Sequence, residues 1–184
     1  MQNPGAQEYT WEDFIALEED DLRELIDGEL VEVEVPTRVH ERIVTRLGQF
    51  LWIWVDAGHG GEVLASGYKV RISKKRGVMP DVQYFAKDNP ISDEHEQGLA
   101  KGHPTLVVEV MSRSSTRYDR VIKLEYYASI GVPEYWIVDP NRRSVERLVL
   151  DNGEYIVAQT AADEEVFAPQ SFPGLAIPLA KLWT

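Results

Sequence analysis

The sequence of 184 residues contains no cysteine. This absence excludes disulfide scaffolds, cysteine zinc sites, iron–sulfur clusters and thiol nucleophiles, and it favours a cytoplasmic location. The sequence also has no apolar run near the roughly 20 residues that a membrane-spanning helix requires. Its first ten residues have neither the basic region nor the apolar region of a secretory signal. We therefore expect a cytoplasmic protein with no membrane partner.

Lysine and arginine are scarce: 19 of them stand against 31 aspartates and glutamates, which gives a net charge of −12. A surface this acidic repels the phosphate backbone of a nucleic acid, so it does not bind DNA or RNA over its whole area. Any contact with phosphates must therefore be local, through a small basic patch or through metal ions.

The composition, 43% hydrophobic and 27% charged, is that of an ordinary globular protein. The sequence has no internal repeat, low-complexity segment or interior linker, so we predict one domain over residues 1–184. Periodicity and turn residues predict these elements: a short helix over 11–17, a hairpin turn at Asp27-Gly28 with a strand over 30–35, a long helix over 37–55, strands over 62–64, 68–72 and 79–85, a polar loop over 86–104, a buried strand over 106–111, a helix over 117–130, a strand over 134–139, hairpin strands over 144–150 and 154–159, and a docked tail over 175–184. This order predicts an α/β fold in which helices and extra hairpins flank a central mixed sheet.

Several common catalytic motifs are missing from the sequence. His40-Glu41 begins like a zinc-protease motif, but the second histidine is absent. The glycines of 58–61 lack the lysine and hydroxyl residue of a phosphate-binding loop, and no dinucleotide-binding or serine-hydrolase motif is present. Together these absences exclude most common enzyme classes.

Glu109 lies within a nearly continuous apolar run, residues 106–111, that is typical of a strand buried on both faces. An ionised carboxylate in such a strand is costly unless a cation or several hydrogen bonds stabilise it. Pairing with an arginine, or an early end to the strand, would also explain this glutamate without any function.

Asp81 lies in another predicted strand, 28 residues before Glu109. This separation suits two neighbouring strands joined by a long connection. Two carboxylates that converge from adjacent strands form an oxygen-ligand site for a hard divalent cation such as Mg²⁺ or Mn²⁺.

Lys123 lies in the helix that follows the strand of Glu109, among apolar neighbours. A lysine in this setting is often solvated, with its stem covering apolar surface. Here the helix begins only a few residues after the strand, so its first turns must lie near the strand's end and near Glu109.

These residues belong to longer blocks that resemble the Uma-two family of restriction-endonuclease-like proteins, within the PD-(D/E)XK nuclease superfamily. The blocks, which lie between Trp11 and Leu150, are Met79-Pro-Asp81, Leu106-Val-Val-Glu-Val-Met-Ser-Arg-Ser-Ser115, Lys123, Tyr127, Gly131-Val-Pro-Glu-Tyr-Trp-Ile-Val-Asp-Pro140, Glu24-Leu-Ile-Asp-Gly-Glu29 and His40. The resemblance implies a restriction-endonuclease-like core.

The resemblance also assigns roles to individual residues. Asp81 and Glu109 match the two metal-binding acids, and Val110 matches the residue whose backbone carbonyl completes the metal shell. Met111 stands where the superfamily has its lysine, a departure that the family shares, and Lys123 matches the helical lysine that takes over. Accessory roles fall to Glu29, His40 and Tyr127, although His40 would equally suit a satisfied core histidine.

The implied function is a DNA endonuclease in which one Mg²⁺ or Mn²⁺ ion activates water for phosphodiester hydrolysis while Lys123 orients the water and stabilises charge. Two alternatives remain: a non-catalytic binding or regulatory module on the same fold, and a metal hydrolase of a small phosphorylated substrate. A homodimer would suit the cutting of both DNA strands. Two basic clusters could form a local rim for DNA or could simply be solvated: Lys74, Lys75 and Arg76, and Arg113, Arg117 and Arg120.

Overall fold

The structure, a computed structural model, describes residues 7–18, 21–65, 67–89, 92–95, 98–112 and 118–184. Its helices are Trp11–Ile15 (α1), Arg38–Trp54 (α2), Leu124–Ile130 (α3) and Ala180–Trp183 (α4), with π-helical turns at Val55–His59 and Tyr118–Lys123. Its strands are Arg23–Ile26 (β1), Glu29–Glu32 (β2), Glu62–Ala65 (β3), Lys69–Ser73 (β4), Arg76–Val78 (β5), Val82–Phe85 (β6), Ser92–His95 (β7), Gly98–Lys101 (β8), Leu106–Val110 (β9), Glu134–Asp139 (β10), Ser144–Asp151 (β11), Glu154–Ala162 (β12), Val166–Phe167 (β13) and Ile177–Pro178 (β14).

The strands form two mixed six-stranded sheets and one short pair. The first sheet has the order β2-β1-β5-β4-β8-β7, and the second, which we call the central sheet, has the order β12-β11-β10-β9-β6-β3. In the central sheet β9 and β10 are parallel, whereas the other neighbours are antiparallel. The predicted fold class, a mixed sheet flanked by helices, is confirmed.

The two faces of the central sheet pack against different layers. Leu106, Val108 and Val110 of β9 join the core formed with α2 and the C-terminal tail. Val107, between them, joins the core formed with α3 and with β4 and β5 of the first sheet. Because side chains alternate between the faces of a strand, Glu109 belongs to the α3 side. The alternation therefore turns the Glu109 side chain towards α3 and away from α2.

The long helix α2 covers one face of the central sheet, as its apolar spacing predicts. Ile43, Leu47 and Leu51 recur at intervals of four residues, and each is at most 1% exposed. The Thr37 side chain caps the helix by accepting a hydrogen bond from the backbone N–H of His40 at 3.3 Å. This cap fixes the helix start, and with it His40, beside the central sheet.

The predicted hairpins at Asp27-Gly28 and Asn152-Gly153 are confirmed. Both turns place two consecutive residues at positive φ, between 50° and 86°, which asparagine, aspartate and glycine adopt most readily. The hairpin strands β1 and β2 pair antiparallel, as do β11 and β12. The first hairpin is shorter than predicted, since β2 ends at Glu32 and residues 33–37 follow without regular structure.

The predicted continuous strand over 79–85 is wrong, because the structure divides this region between the two sheets. β5 ends at Val78 in the first sheet, and β6 begins at Val82 in the central sheet. Pro80 lies in the break, where its missing N–H costs no ladder hydrogen bond. Asp81 is therefore a bend residue at the passage from one sheet to the other, not a residue within a strand.

The prediction of one polar loop over 86–104 is also wrong. This segment contains β7 and β8, which pair antiparallel, and β8 continues the first sheet by pairing parallel with β4. Leu99 of β8 is 1% exposed, and Gly98 packs so closely against the backbone of Lys69 that a Cβ there would lie 2.7 Å from the carbonyl oxygen. The burial of Leu99 and the close approach of Gly98 to the Lys69 backbone thus hold β8 in the sheet, although its sequence lacks the alternation of apolar and polar residues typical of a strand.

The helix predicted over 117–130 corresponds to the turn Tyr118–Lys123 followed by α3. Gly131 ends α3 at φ +83°, the left-handed conformation expected of the residue that ends a helix. Residues 113–117, which include the predicted start of this helix, fall outside the described residues. The C-terminal tail docks as predicted, with Leu175, Leu179 and Leu182 in the α2 core. In the described part of the chain, every helix is too short or too polar to cross a membrane.

Candidate functional site

One cavity brings together most of the residues that the sequence singled out. It has a volume of about 290 Å³ and opens where β6 and β9 meet the first hairpin and the start of α2. Asp81, Glu109, Val110, Lys123 and His40 all line it. Residues distant in sequence therefore share one site, at the junction of the two sheets.

Asp81 lies directly before β6, and Glu109 lies in β9, the strand next to β6 in the central sheet. β6 and β9 are antiparallel with Val82 opposite Val108, so the same register carried one residue further places Asp81 opposite Glu109. Oδ2 of Asp81 accepts a hydrogen bond of 2.7 Å from the backbone N–H of Val110. This bond anchors the bend to the end of β9.

His40 reaches the same oxygen from the other side. Its Nε2 lies 3.1 Å from Asp81 Oδ2, and its Nδ1 lies 3.4 Å from Glu41 Oε1. Burial acts to lower the pKa of His40, but the hydrogen bonds and charges of Asp81 and Glu41 together outweigh it and raise the pKa above 6.5. His40 thus serves as a hydrogen-bond donor that orients the Asp81 carboxylate.

Glu109 is 3% exposed and accepts two hydrogen bonds on one oxygen. The Lys123 ammonium donates to Oε1 at 2.9 Å, and the Tyr127 hydroxyl donates to the same oxygen at 2.5 Å. Lys123 and Tyr127 are four residues apart, the spacing that places two side chains on one face of a helix. Among the described residues, an amine and a phenol from the following helix therefore stabilise the buried carboxylate. The strand does not end early, since β9 continues to Val110.

Tyr127 is fully buried, and its hydroxyl stays protonated. Burial raises the pKa of Tyr127 well above 10, and the adjacent negative charge of Glu109 raises it further. Its ring packs edge-on against Tyr135 at a centroid distance of 5.1 Å. The phenol is thus a fixed donor that holds Glu109 in one orientation.

Glu24 is a third acid of the site, and the sequence reasoning gave it no role. It lies in β1, is 1% exposed, and its Oε1 is 3.3 Å from the Lys123 ammonium. The acid that the resemblance named from this hairpin, Glu29, is exposed in β2 and does not line the cavity. The signal that found Glu109, a carboxylate between apolar neighbours, is only partial at Glu24, because Leu25 follows it but Arg23 precedes it.

The charges at the buried end of the cavity are unequal. In the described part of the site, three carboxylates (Glu24, Asp81 and Glu109) face one ammonium and one imidazole. Buried negative charge in excess is costly, and a bound divalent cation would relieve it. Of the two oxygens of Asp81, Oδ2 makes both of the hydrogen bonds that join this carboxylate to described residues.

The donor set suits a small hard cation. In the described residues, no three or more histidine, cysteine, aspartate or glutamate side chains form a ready-made metal cluster. A cation here would rest on the carboxylates of Asp81 and Glu109 and the carbonyl of Val110, with water completing its shell. Mg²⁺ is commonly bound in this way, by one or two carboxylates and several waters.

The mouth of the cavity is acidic and partly apolar. Glu32, Glu34 and Glu41 line it, beside valines of the segment that follows β2. The basic cluster of residues 74–76 does not line the cavity, and two of its members pair with acids: Lys75 with Glu8, and Arg76 with Asp27 at 2.5 Å. Arg113 and Arg117 of the second cluster lie outside the described residues, as does the side chain of Arg120.

Comparisons with known proteins agree with this fold. The profile of a family named Uma2 and described as "Putative restriction endonuclease" matches residues 11–180. A curated relative, the uncharacterized protein sll1609 of Synechocystis sp., is 26% identical over 118 residues, which are 63% of this chain and 65% of that protein. The chain thus spans just under two thirds of the length of this relative.

Solved structures give a match over nearly the whole chain. The crystal structure of a "putative nuclease belonging to DUF820" from Anabaena variabilis superimposes with a TM-score of 0.75 and 16% identity. The superposition covers 95% of this chain and 97% of that one, so the two share a fold. A DrdV–DNA complex gives a TM-score of only 0.34 with 13% identity, over 66% of this chain and 12% of that one, which is too low to establish a shared fold.

Proposed function

Because the chain belongs to the Uma2 family, we propose that it is a metal-dependent endonuclease that hydrolyses phosphodiester bonds in DNA. The observation that carries this proposal is the position of Lys123. Its ammonium lies 2.9 Å from Glu109, in the cavity that Asp81 also lines. Two acids and an amine around one cavity are the groups that phosphodiester hydrolysis with a divalent cation requires.

Asp81, Glu109 and the Val110 carbonyl would hold one Mg²⁺ or Mn²⁺ ion. When bound, such an ion supplies a Lewis acid for a phosphate oxygen and a lowered pKa for a coordinated water. The protein's own contribution is to fix the two carboxylates. His40 and the Val110 N–H hold Asp81, and Tyr127 holds Glu109. Such supporting hydrogen bonds set the orientation of metal-binding groups.

Lys123 is the residue that acts on the reacting phosphate. Its ammonium is nearly buried, with the side chain 7% exposed, so its charge is poorly screened by water. A phosphodiester gains negative charge on its non-bridging oxygens when water attacks, and a nearby fixed cation stabilises that charge. The same ammonium can donate a hydrogen bond that orients the attacking water.

A second candidate is hydrolysis of a small phosphorylated substrate by the same groups. The cavity volume of about 290 Å³ favours it, since this is near the lower limit for pockets that hold small ligands. The acidic mouth at Glu32, Glu34 and Glu41 also repels a long polyanion more than a small phosphate ester. Separate hydrolysis assays with a plasmid and with a small phosphodiester distinguish these candidates.

The test is cleavage of a supercoiled plasmid with millimolar Mg²⁺ or Mn²⁺ by the wild-type protein and by Glu109→Gln. The control is Glu125→Gln, which removes an exposed acid from the same helix as Tyr127. We expect cleavage by the wild type and the control and none by Glu109→Gln. Equal cleavage by all three, or none with any metal, would refute the proposal. Hydrolysis of a small phosphodiester such as bis-(4-nitrophenyl) phosphate with an intact plasmid would favour the second candidate.

Calorimetric titration with Mn²⁺ distinguishes an enzyme from a non-catalytic module on the same fold. We expect binding that Glu109→Gln weakens strongly, because the substitution removes a charged ligand. A silent titration at millimolar metal, together with an intact plasmid, would favour the non-catalytic module.

A further inference from the structure

Glu24 is almost completely buried, yet it carries a carboxylate. Its relative exposure is 1%, in the middle of the short strand β1. A carboxylate at this depth is costly unless it is paired and hydrogen-bonded. The Oε1 atom of Glu24 has two contacts, and each is with a different part of the candidate site.

The first contact is with Lys123. Its ammonium lies 2.9 Å from Glu109 Oε1 and 3.3 Å from Glu24 Oε1, so two carboxylates from two different sheets hold it. A lysine side chain has four flexible torsions and about 2 kcal/mol of rotamer entropy. With a single carboxylate partner the ammonium could rotate about that contact, whereas two carboxylate partners fix its position.

The second contact is with the chain that leads into Asp81. Glu24 Oε1 accepts a hydrogen bond of 2.8 Å from the backbone N–H of Met79. Met79 lies in the break between β5 and β6, two residues before Asp81. The Glu24 carboxylate thus connects the lysine of the site with the bend that carries the first acid.

We propose that Glu24 is a positioning residue for phosphodiester hydrolysis, which holds the Lys123 ammonium and the Asp81 bend at a fixed separation. This role rests on the proposed function of the cavity. Glu24 acts through its two partners and does not itself hold the metal. A misplacement of about 1 Å in such a constellation can lower the rate about 100-fold.

The test uses Glu24→Gln, because glutamine keeps the oxygen that accepts from Met79 and removes the charge that faces Lys123. We expect kcat for plasmid cleavage to fall about 100-fold, with KM changed less than about threefold. The matched control is Glu134→Gln, a buried acid of the central sheet that pairs with Arg147 at 2.7 Å and is not part of the cavity. Its kcat should stay within about twofold of the wild type under conditions where it is folded. Unchanged kcat in Glu24→Gln would overturn the proposal.

Two further measurements separate this role from others. Mn²⁺ affinity should be the same in Glu24→Gln and the wild type; a loss as large as that of Glu109→Gln would make Glu24 a metal ligand and overturn the positioning role. A double-mutant cycle of urea midpoints with Lys123→Met needs no activity. We expect the double variant to lose less stability than the two single variants together, whereas additive losses would exclude the contact. Coupling without any cleavage by the wild type would refute the proposed function and reduce the pair to a structural one.

Discussion

Lys123 and Tyr127 donate hydrogen bonds to the same oxygen of Glu109, from positions one helical turn apart. The turn Tyr118–Lys123 and helix α3 supply the two donors, and β9 supplies the acceptor. The acid therefore has one amine and one phenol at the same atom, in a region where all three side chains are buried. The stability of this buried group of side chains therefore depends on all three residues.

Replacing Lys123 by methionine should destabilise the fold strongly. The change leaves Glu24 and Glu109 buried without the ammonium that faces both of them. Breaking a buried ion pair in this way costs about 3 to 5 kcal/mol. Urea unfolding measures the loss, and Lys181→Met, at an exposed lysine of α4, should unfold within about 0.5 kcal/mol of the wild type. Equal stability of the two variants would contradict the buried pairing.

Tyr127→Phe should lower both stability and cleavage. The ring and its packing against Tyr135 remain, but Glu109 loses a hydrogen bond in a dry environment. The expected cost is about 1 to 3 kcal/mol of unfolding free energy. Tyr155→Phe is the matched control, because its hydroxyl donates to the Val132 carbonyl at 2.7 Å and lies outside the cavity. It should lose stability without a change in cleavage, so equal loss of cleavage in both variants would show that tyrosine removal acts only through folding.

His40→Ala should weaken Mn²⁺ binding, because the Asp81 carboxylate loses the donor that orients it. Groups that support a metal ligand in this way are typically worth about 10- to 100-fold in affinity. Calorimetric titration measures the change. His59→Ala serves as the control, since His59 is exposed and stacks on Trp54 at 4.0 Å, away from the cavity. The same Mn²⁺ affinity in both histidine variants would argue against a role of His40 at the metal.

Asp21 gives a prediction for the pH dependence of stability. The hydrogen bonds from the Arg23 guanidinium lower the pKa of Asp21 from 3.8 to about 2. Since the folded-state pKa is the lower one, the pair stabilises the fold fully above pH 3.8 and loses this contribution as the pH falls through 2. The melting temperature of Asp21→Asn should therefore lie below that of the wild type at neutral pH, and the difference should shrink between these two pH values. A difference that grows on acidification would contradict the ion pair.

The predictable parts of the fold are those that local chemistry specifies. Asp27-Gly28 and Asn152-Gly153 have the backbone freedom of a tight turn, the spacing of Ile43, Leu47 and Leu51 defines a helical face, and residues 106–110 are apolar enough to be buried on both faces. Each of these signals lies within a few consecutive residues. They predict helices and hairpins well because no distant partner is needed to form them.

The parts that sequence reasoning missed depend on distant partners. β8 exists because its backbone pairs with β4, and its composition does not reveal this pairing. The sequence predicted one strand over 79–85, and only the two-sheet architecture shows that the chain changes sheet at Pro80. Likewise, the spacing of Asp81 and Glu109 indicated neighbouring strands, whereas the contact between Glu24 and Lys123 joins elements that are almost 100 residues apart in sequence.

The alternation of β9 makes the length of this strand critical. Its even-numbered residues pack towards α2, and Val107 and Glu109 face the opposite layer. Inserting one amino acid directly before Glu109 would shift its carboxylate to the other face of the strand. The carboxylate would then lie in the apolar core beneath α2, away from the Lys123 ammonium and the Tyr127 hydroxyl. An insertion or deletion of a single residue inside β9 would therefore disrupt the site and the core together.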